Sequence, residues 1–121
     1  MKFTRESATK VTVRSVSGDG IRIGNTAYGK SIAITPDDVM EDWPAKPIAD
    51  LSVDDFETLL EGEPALVVLG TGSQNVFAPR ELVFAFARRG IGLEVMDTQA
   101  AARTFNVLAG EGRNVVAVLY C

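Results

Sequence analysis

The sequence predicts an α/β fold, in which an antiparallel β-meander layer packs with a three-stranded parallel β-α-β-α-β unit to make a single three-layer domain. Three observations predict it. The first third alternates apolar and polar residues between turn signals, the pattern of strands with one buried face. The second half carries continuous apolar runs separated by helical segments, the pattern of strands buried on both faces and joined by right-handed crossovers. The length, 121 residues, suits one core and leaves no room for two. We divide the chain into a meander at 1–35, a connector rich in proline and acidic residues at 36–50, and an α-β-α-β-α-β half at 51–121.

In the meander, Val11 to Val16 alternates, Ser17-Gly18-Asp19-Gly20 turns, and Ile21-Arg22-Ile23 alternates again. Asn25 to Gly29 reads as a second turn, and Ser31-Ile32-Ala33-Ile34 as the third strand. The connector holds Pro36, Pro44 and Pro47 with four carboxylates around Trp43. Trp43 is a candidate partner contact if the loop presents it, since tryptophan is frequent in interface hot spots. Alternatively it folds back as a lid on the core.

Ser52 begins a short helix with Asp55 completing a capping box and Gly62 ending it. Ala65 to Leu69 is a fully apolar strand, and Pro79 opens a helix that runs to Arg89 and stops at Gly90. Because Leu82 to Ala87 is apolar all round, that helix is expected to be deeply buried. Ile91 to Met96 is the next strand. Thr98 is expected to cap a helix whose Ala101, Phe105 and Leu108 face the core while Gln99, Arg103 and Asn106 share the opposite face. Asn114 to Tyr120 forms the last strand. Glu94 stands in mid-strand, where burial on both faces would strand a carboxylate, so its strand belongs at the sheet edge with the Ala65 to Leu69 strand at the centre.

Composition excludes several functions. Sixteen acidic against twelve scattered basic residues argue against nucleic acid, which requires clustered cations. With no histidine, imidazole-based catalysis and histidine-ligated metal sites are out of reach. The lone cysteine, Cys121, supports neither an internal disulfide nor a thiolate cluster. No catalytic residue, metal ligand or cofactor is assigned. The longest apolar run is too short to span a bilayer. Met1 leads almost directly into strand-like sequence without an apolar or arginine-rich leader, so a cytoplasmic location is expected.

The loop Gly70-Thr71-Gly72-Ser73-Gln74-Asn75 is the small-molecule candidate, because glycines let backbone amides approach a ligand and the loop follows the central strand. Asp97 ends the next strand, where a dinucleotide fold keeps its ribose carboxylate. The glycine fingerprint nevertheless fails: Asn75 replaces the third glycine and Pro79 starts the helix late. An anion or metabolite pocket and a purely structural turn both remain open.

Leu69 to Gly72, Gly90 to Thr98, Ala101 to Leu108 and Glu111 to Val115 together resemble a small α/β family. It contains an archaeal prototype domain, the adipogenesis-associated domain protein and mitochondrial respiratory complex I assembly factor three. The resemblance is tight from Pro64 onward and looser before it. It implies a β layer against a parallel unit, no established enzyme activity, and a role in membrane-complex assembly through protein contacts. Mapped onto this chain, the family pattern points to Gly70, Gly72, Thr98, Arg103 and Asn106. Arg103 could capture a carboxylate, or pair with Asp97 or Glu94 and tie helix to sheet. Val107 lies off the apolar face and is a second candidate partner contact.

Three readings follow. The first is a non-catalytic interaction or assembly module for a membrane complex of respiratory type. The second is a binding domain for a small anionic metabolite, using the Gly70 to Gln74 backbone with Gly70, Thr71, Gly72, Ser73, Asp97, Thr98, Arg103 and Asn106 as candidate contacts and Arg103 as counter-charge; it requires one pocket that joins the loop to Arg103. The third, least supported, is a histidine-free enzyme using Ser73 or Asp97 activated by Arg103 or Lys30. A homodimer through the sheet edge is compatible with all three.

Overall fold

The computed structural model describes residues 11–121. The opening residues, on which the reading of an absent leader rests, lie outside that range. Two sheets organise the chain. The first is an antiparallel meander of β1 (Val13–Ser17), β2 (Gly20–Ile23) and β3 (Thr26–Tyr28). The second has five strands: β4 (Ile32–Ile34), β5 (Val39–Met40), β6 (Leu66–Gly70), β7 (Gly92–Met96) and β8 (Val115–Leu119), in the order β5-β4-β8-β6-β7.

The parallel unit is as expected. β6 is central and runs parallel to both β7 and β8, and β7 lies at the edge with Glu94 in solvent. The helices α1 (Glu57–Leu60), α2 (Arg80–Arg88) and α3 (Thr98–Gly110) complete the chain. Alternation along β8 explains its wholly apolar sequence: Val115, Ala117 and Leu119 face α3 and the meander, while Val116 and Val118 face α1 and α2.

The meander exists, but its third strand is Thr26–Tyr28 rather than Ser31 to Ile34. Those three residues lie between two turns, and their Asn-Gly-rich neighbourhood hides them as turn chemistry. Ile32–Ile34 instead pairs antiparallel with β8 and with β5. All three of its residues are buried, with Ala33 facing the opposite core from Ile32 and Ile34, which a strand with one wet face would not permit. The connector thus contributes a strand of its own, β5, to the larger sheet.

Trp43 is a core residue and not a presented contact. It is 5% exposed, with its ring 5.2 Å from that of Phe56, which meets Phe86 edge-on at the same spacing. The apolar area it removes from water, together with these aromatic contacts, outweighs the cost of an indole N–H left buried without a hydrogen bond of ordinary geometry. The capping box forms as expected on the adjoining 3-10 turn Val53–Phe56: the Ser52 N–H donates to Asp55 Oδ2 at 2.9 Å. Helix α2 departs from expectation. Leu82 and Phe86 are buried, yet Val83 and Phe84 face solvent, because α2 packs inward against β7 and the Val53–Phe56 turn and nothing among the described residues covers its outer face.

Candidate functional site

The carboxyl ends of β6, β7 and β8 meet where the loop after β6 crosses the start of α3. Gly70 permits this crossing. A Cβ there would stand 2.9 Å from Thr98 Cα and Oγ1 and 3.0 Å from Ala101 Cβ, so only glycine lets α3 lie so close to the strand. Gly72 then takes φ +102, and a Cβ on it would approach the Cys121 carbonyl at 3.2 Å.

Thr98 is not the helix cap. Asp97 holds that position, with Oδ1 accepting the Ala100 N–H at 2.9 Å. Thr98, one residue into the helix and 1% exposed, is a three-way fastener. Its Oγ1 accepts the Gly72 N–H at 2.7 Å and donates to the Tyr120 carbonyl at 2.6 Å, while its own N–H donates to the Gly72 carbonyl at 2.8 Å. One hydroxyl thereby joins the ends of all three parallel strands. Sequence reasoning picked the right residue for the wrong role, since a threonine beside an aspartate gives no sign of which is the cap.

Thr71 is similarly committed. Its N–H donates to the Met96 carbonyl at 2.9 Å, and Oγ1 donates to the Gln74 carbonyl at 2.6 Å and accepts the Val76 N–H at 3.0 Å. The amides of Thr71 and Gly72, which an anion cradle would need, are thus consumed by the fold.

A cavity of about 410 Å³ lies beyond this junction, floored by Gly72, Ser73, Asp97, Thr98 and Gln99 and roofed by the β1–β2 turn, Ser17–Gly20. Asp19 and Asp97 contribute carboxylates, and among the described residues no lysine or arginine lines it, so the charge these residues supply opposes an anion. Arg103 and Asn106 lie elsewhere. They line a shallow groove against β1, with Val16 and Gln99 the two residues shared between groove and cavity. The required single pocket joining the loop to Arg103 is absent among the described residues, and with it goes the counter-charge for an anionic metabolite.

The polar face of α3 has a different use. Asn106 bonds the Val13 backbone twice, and Gln99 Nε2 donates to the Val16 carbonyl at 3.2 Å, so this face seats β1. Arg103 between them is exposed and forms neither of the two ion pairs among the described residues, which are Lys46–Asp55 and Arg89–Glu57; the tie to Asp97 or Glu94 is not made. Ser73 has no hydrogen bond to Asp97 or Lys30, and Asp97 is occupied as a cap, which removes the geometry a nucleophile and base would share. Partial burial pushes the Cys121 thiol up, partly offset by Ser31, and so away from nucleophilic thiolate character. Val107 is exposed as expected. Sequence reasoning missed Val76, Phe77, Val83 and Phe84, all exposed; the signal for Val83 and Phe84 was an apolar run too long for one helix face, whereas Val76 and Phe77 lie in the loop before α2.

Comparison with known proteins agrees with this architecture. The family described as "Protein of unknown function (DUF498/DUF598)" matches residues 13–120. NADH dehydrogenase [ubiquinone] 1 alpha subcomplex assembly factor 3 from Homo sapiens is 36% identical over 118 residues, covering 95% of this chain and 63% of the relative. The Danio rerio protein of the same name is 34% identical over 118 residues, covering 95% of this chain and 67% of its own length. The chain therefore spans about two thirds of the length of these relatives. Among solved structures, a Xanthomonas campestris protein determined by NMR superposes with a TM-score of 0.84 at 32% identity, over 97% of this chain and 89% of that one. With a family match running from β1 to the end of β8, the chain belongs to the DUF498/DUF598 family of proteins of unknown function.

Proposed function

We propose that this domain is a non-catalytic protein-interaction module that serves the assembly of a membrane complex of respiratory type, acting from the cytoplasm. The observation that carries the reading is the likeness, over 95% of the chain, to proteins named as assembly factors of NADH dehydrogenase. The geometry favours binding over chemistry. The residues that look most like a ligand cradle, Gly70 to Gly72 with Thr98, are spent on holding three strand ends and a helix together. A cytoplasmic location is in keeping with a single cysteine, which has no disulfide partner in the sequence.

The test is deletion of the gene in the native host, with quantitation of assembled NADH dehydrogenase complex by native gel and activity stain. The expected result is loss of assembled complex, recovered by the wild-type chain and by Ser73→Ala alike. Unchanged assembly in the deletion strain would overturn the reading. Recovery by the wild type but not by Ser73→Ala would instead favour a chemical role for the loop.

A further inference from the structure

The described surface leaves one apolar cluster uncovered, and it lies away from the cavity. Phe77 is 93% exposed, and Val76, Val83 and Phe84 are exposed with it. All four fall within 76–84, the loop before α2 and the outer face of α2 itself. Since Leu82 and Phe86 point inward, helical spacing sets Arg80, Phe84 and Arg88 in file along the outer face, with Val83 and Ala87 beside them. Single exposed apolar residues need no explanation, but several gathered in one segment mark a contact surface.

Charge indicates what covers it. Arg80 and Arg88 are in neither of the ion pairs among the described residues, whereas the neighbouring Arg89 is held by Glu57 at 3.3 Å. Two guanidiniums with no ion-pair partner among the described residues therefore flank the cluster in a chain of net charge -4. An anionic bilayer would repel most of this molecule, and two arginines are a small counterweight. In a symmetric contact between two copies, the face would meet itself and bring guanidiniums toward guanidiniums. A protein presenting an apolar cleft edged with carboxylates meets neither difficulty and pairs with arginine in forked geometry.

We propose that Val76, Phe77, Val83 and Phe84, rimmed by Arg80 and Arg88, are the docking surface for a protein partner whose own face is an apolar cleft edged by Asp or Glu. The proposal rests on the assembly reading and names the surface and partner chemistry behind it.

The experiment places a benzophenone amino acid at position 77, and as a control at position 107, in the full chain expressed in its native host, and maps cross-linked peptides by mass spectrometry. Position 77 should cross-link to a protein segment in which apolar residues adjoin Asp or Glu. The pair Arg80→Glu and Arg88→Glu should lower that yield about tenfold or more, and changing the mapped carboxylate to Lys should restore it. Phe77→Ser with Phe84→Ser, placed in a chain cross-linking from position 76, should lower it as far while leaving the thermal melt unchanged. Cross-links to lipid, to a second copy of this chain, or to nothing would overturn the proposal, as would a yield indifferent to the arginine reversals. In the deletion strain, full recovery of complex assembly by the Phe77→Ser, Phe84→Ser variant would defeat the docking surface and spare the assembly reading. Intact assembly in the deletion strain with the cross-link still made would defeat that reading and leave the surface serving another partner.

Discussion

Asn106 and Val13 hold each other by two hydrogen bonds: Asn106 Oδ1 accepts the Val13 N–H at 2.9 Å, and its Nδ2 donates to the Val13 carbonyl at 2.8 Å. Among the described residues β1 is an outer strand of the meander, so this stretch of backbone faces away from β2 and has no strand partner on that side. A side-chain carboxamide takes the place of a neighbouring strand, and so fastens the small sheet to the helix that covers the large one. The family-pattern residue that looked like a ligand contact is an internal brace.

Asn106→Ala should therefore destabilise the domain by about 2 kcal/mol, since it leaves a part-buried amide and carbonyl unpaired. Arg103→Ala, one turn away on the same helix, should change stability by less than about 0.5 kcal/mol. Urea unfolding of both variants checks this. Equal losses at the two positions would show that the groove tolerates no change for some reason other than the clamp.

The junction at Thr98 gives a graded series. Thr98→Val keeps the shape and removes the hydroxyl, stranding the Gly72 N–H and the Tyr120 carbonyl, for a loss of about 3 kcal/mol. Thr98→Ser should lose only about 1 kcal/mol, the worth of one methyl group. Gly70→Ala should cost about 3 kcal/mol, because a backbone atom and a helix side chain stand in the way of its methyl group. Thermal melts rank the three, and a harmless Gly70→Ala would mean that α3 can shift off the strand.

Acid stability depends on Asp55. Burial alone would raise its pKa, but the Lys46 ammonium at 2.8 Å and the Ser52 N–H outweigh burial and hold the carboxyl below its ordinary 3.8. A depressed carboxylate contributes stability that is present above 3.8 and is lost as pH falls through the lower, folded value. Asp55→Asn should thus cost about 1 kcal/mol at neutral pH, most of it from the capping box because Lys46 is half exposed. The gap from wild type should close in denaturant melts taken progressively below pH 3.8. A gap that stayed constant with pH would point to shape and not charge.

Trp43→Ala should unfold or nearly unfold the chain, at a loss of about 4 kcal/mol, by opening a hole beside Phe56 and Phe86. A loss of partner binding in this variant would therefore say nothing about an interface unless its near-ultraviolet circular dichroism matched wild type. Blue-shifted tryptophan emission in the native protein, moving to the red on unfolding, checks the burial directly.

Local pattern was enough for the parallel unit. The apolar runs of β6 and β8, the glycine stops and the mid-strand Glu94 fix strand type and even strand order, because burial on two faces and the cost of a buried carboxylate are properties of short segments. The same local chemistry misled where neighbours distant in sequence set the outcome. Ile32–Ile34 reads as a strand wherever it is placed, and its hydrogen bonds to β8 rather than to the meander follow from a pairing across more than half the chain. Trp43 became core because Phe56 and Phe86 converge on it, α2 kept an apolar outer face because nothing among the described residues folded over it, and Thr98 and Asn106 became fasteners because their polar groups met backbone from other elements, Thr98 across the close approach that Gly70 permits. A polar side chain has hydrogen bonds to make whatever its surroundings. Whether they go to a ligand or to the chain itself depends on which atoms the packing of whole elements brings within 3 Å or so.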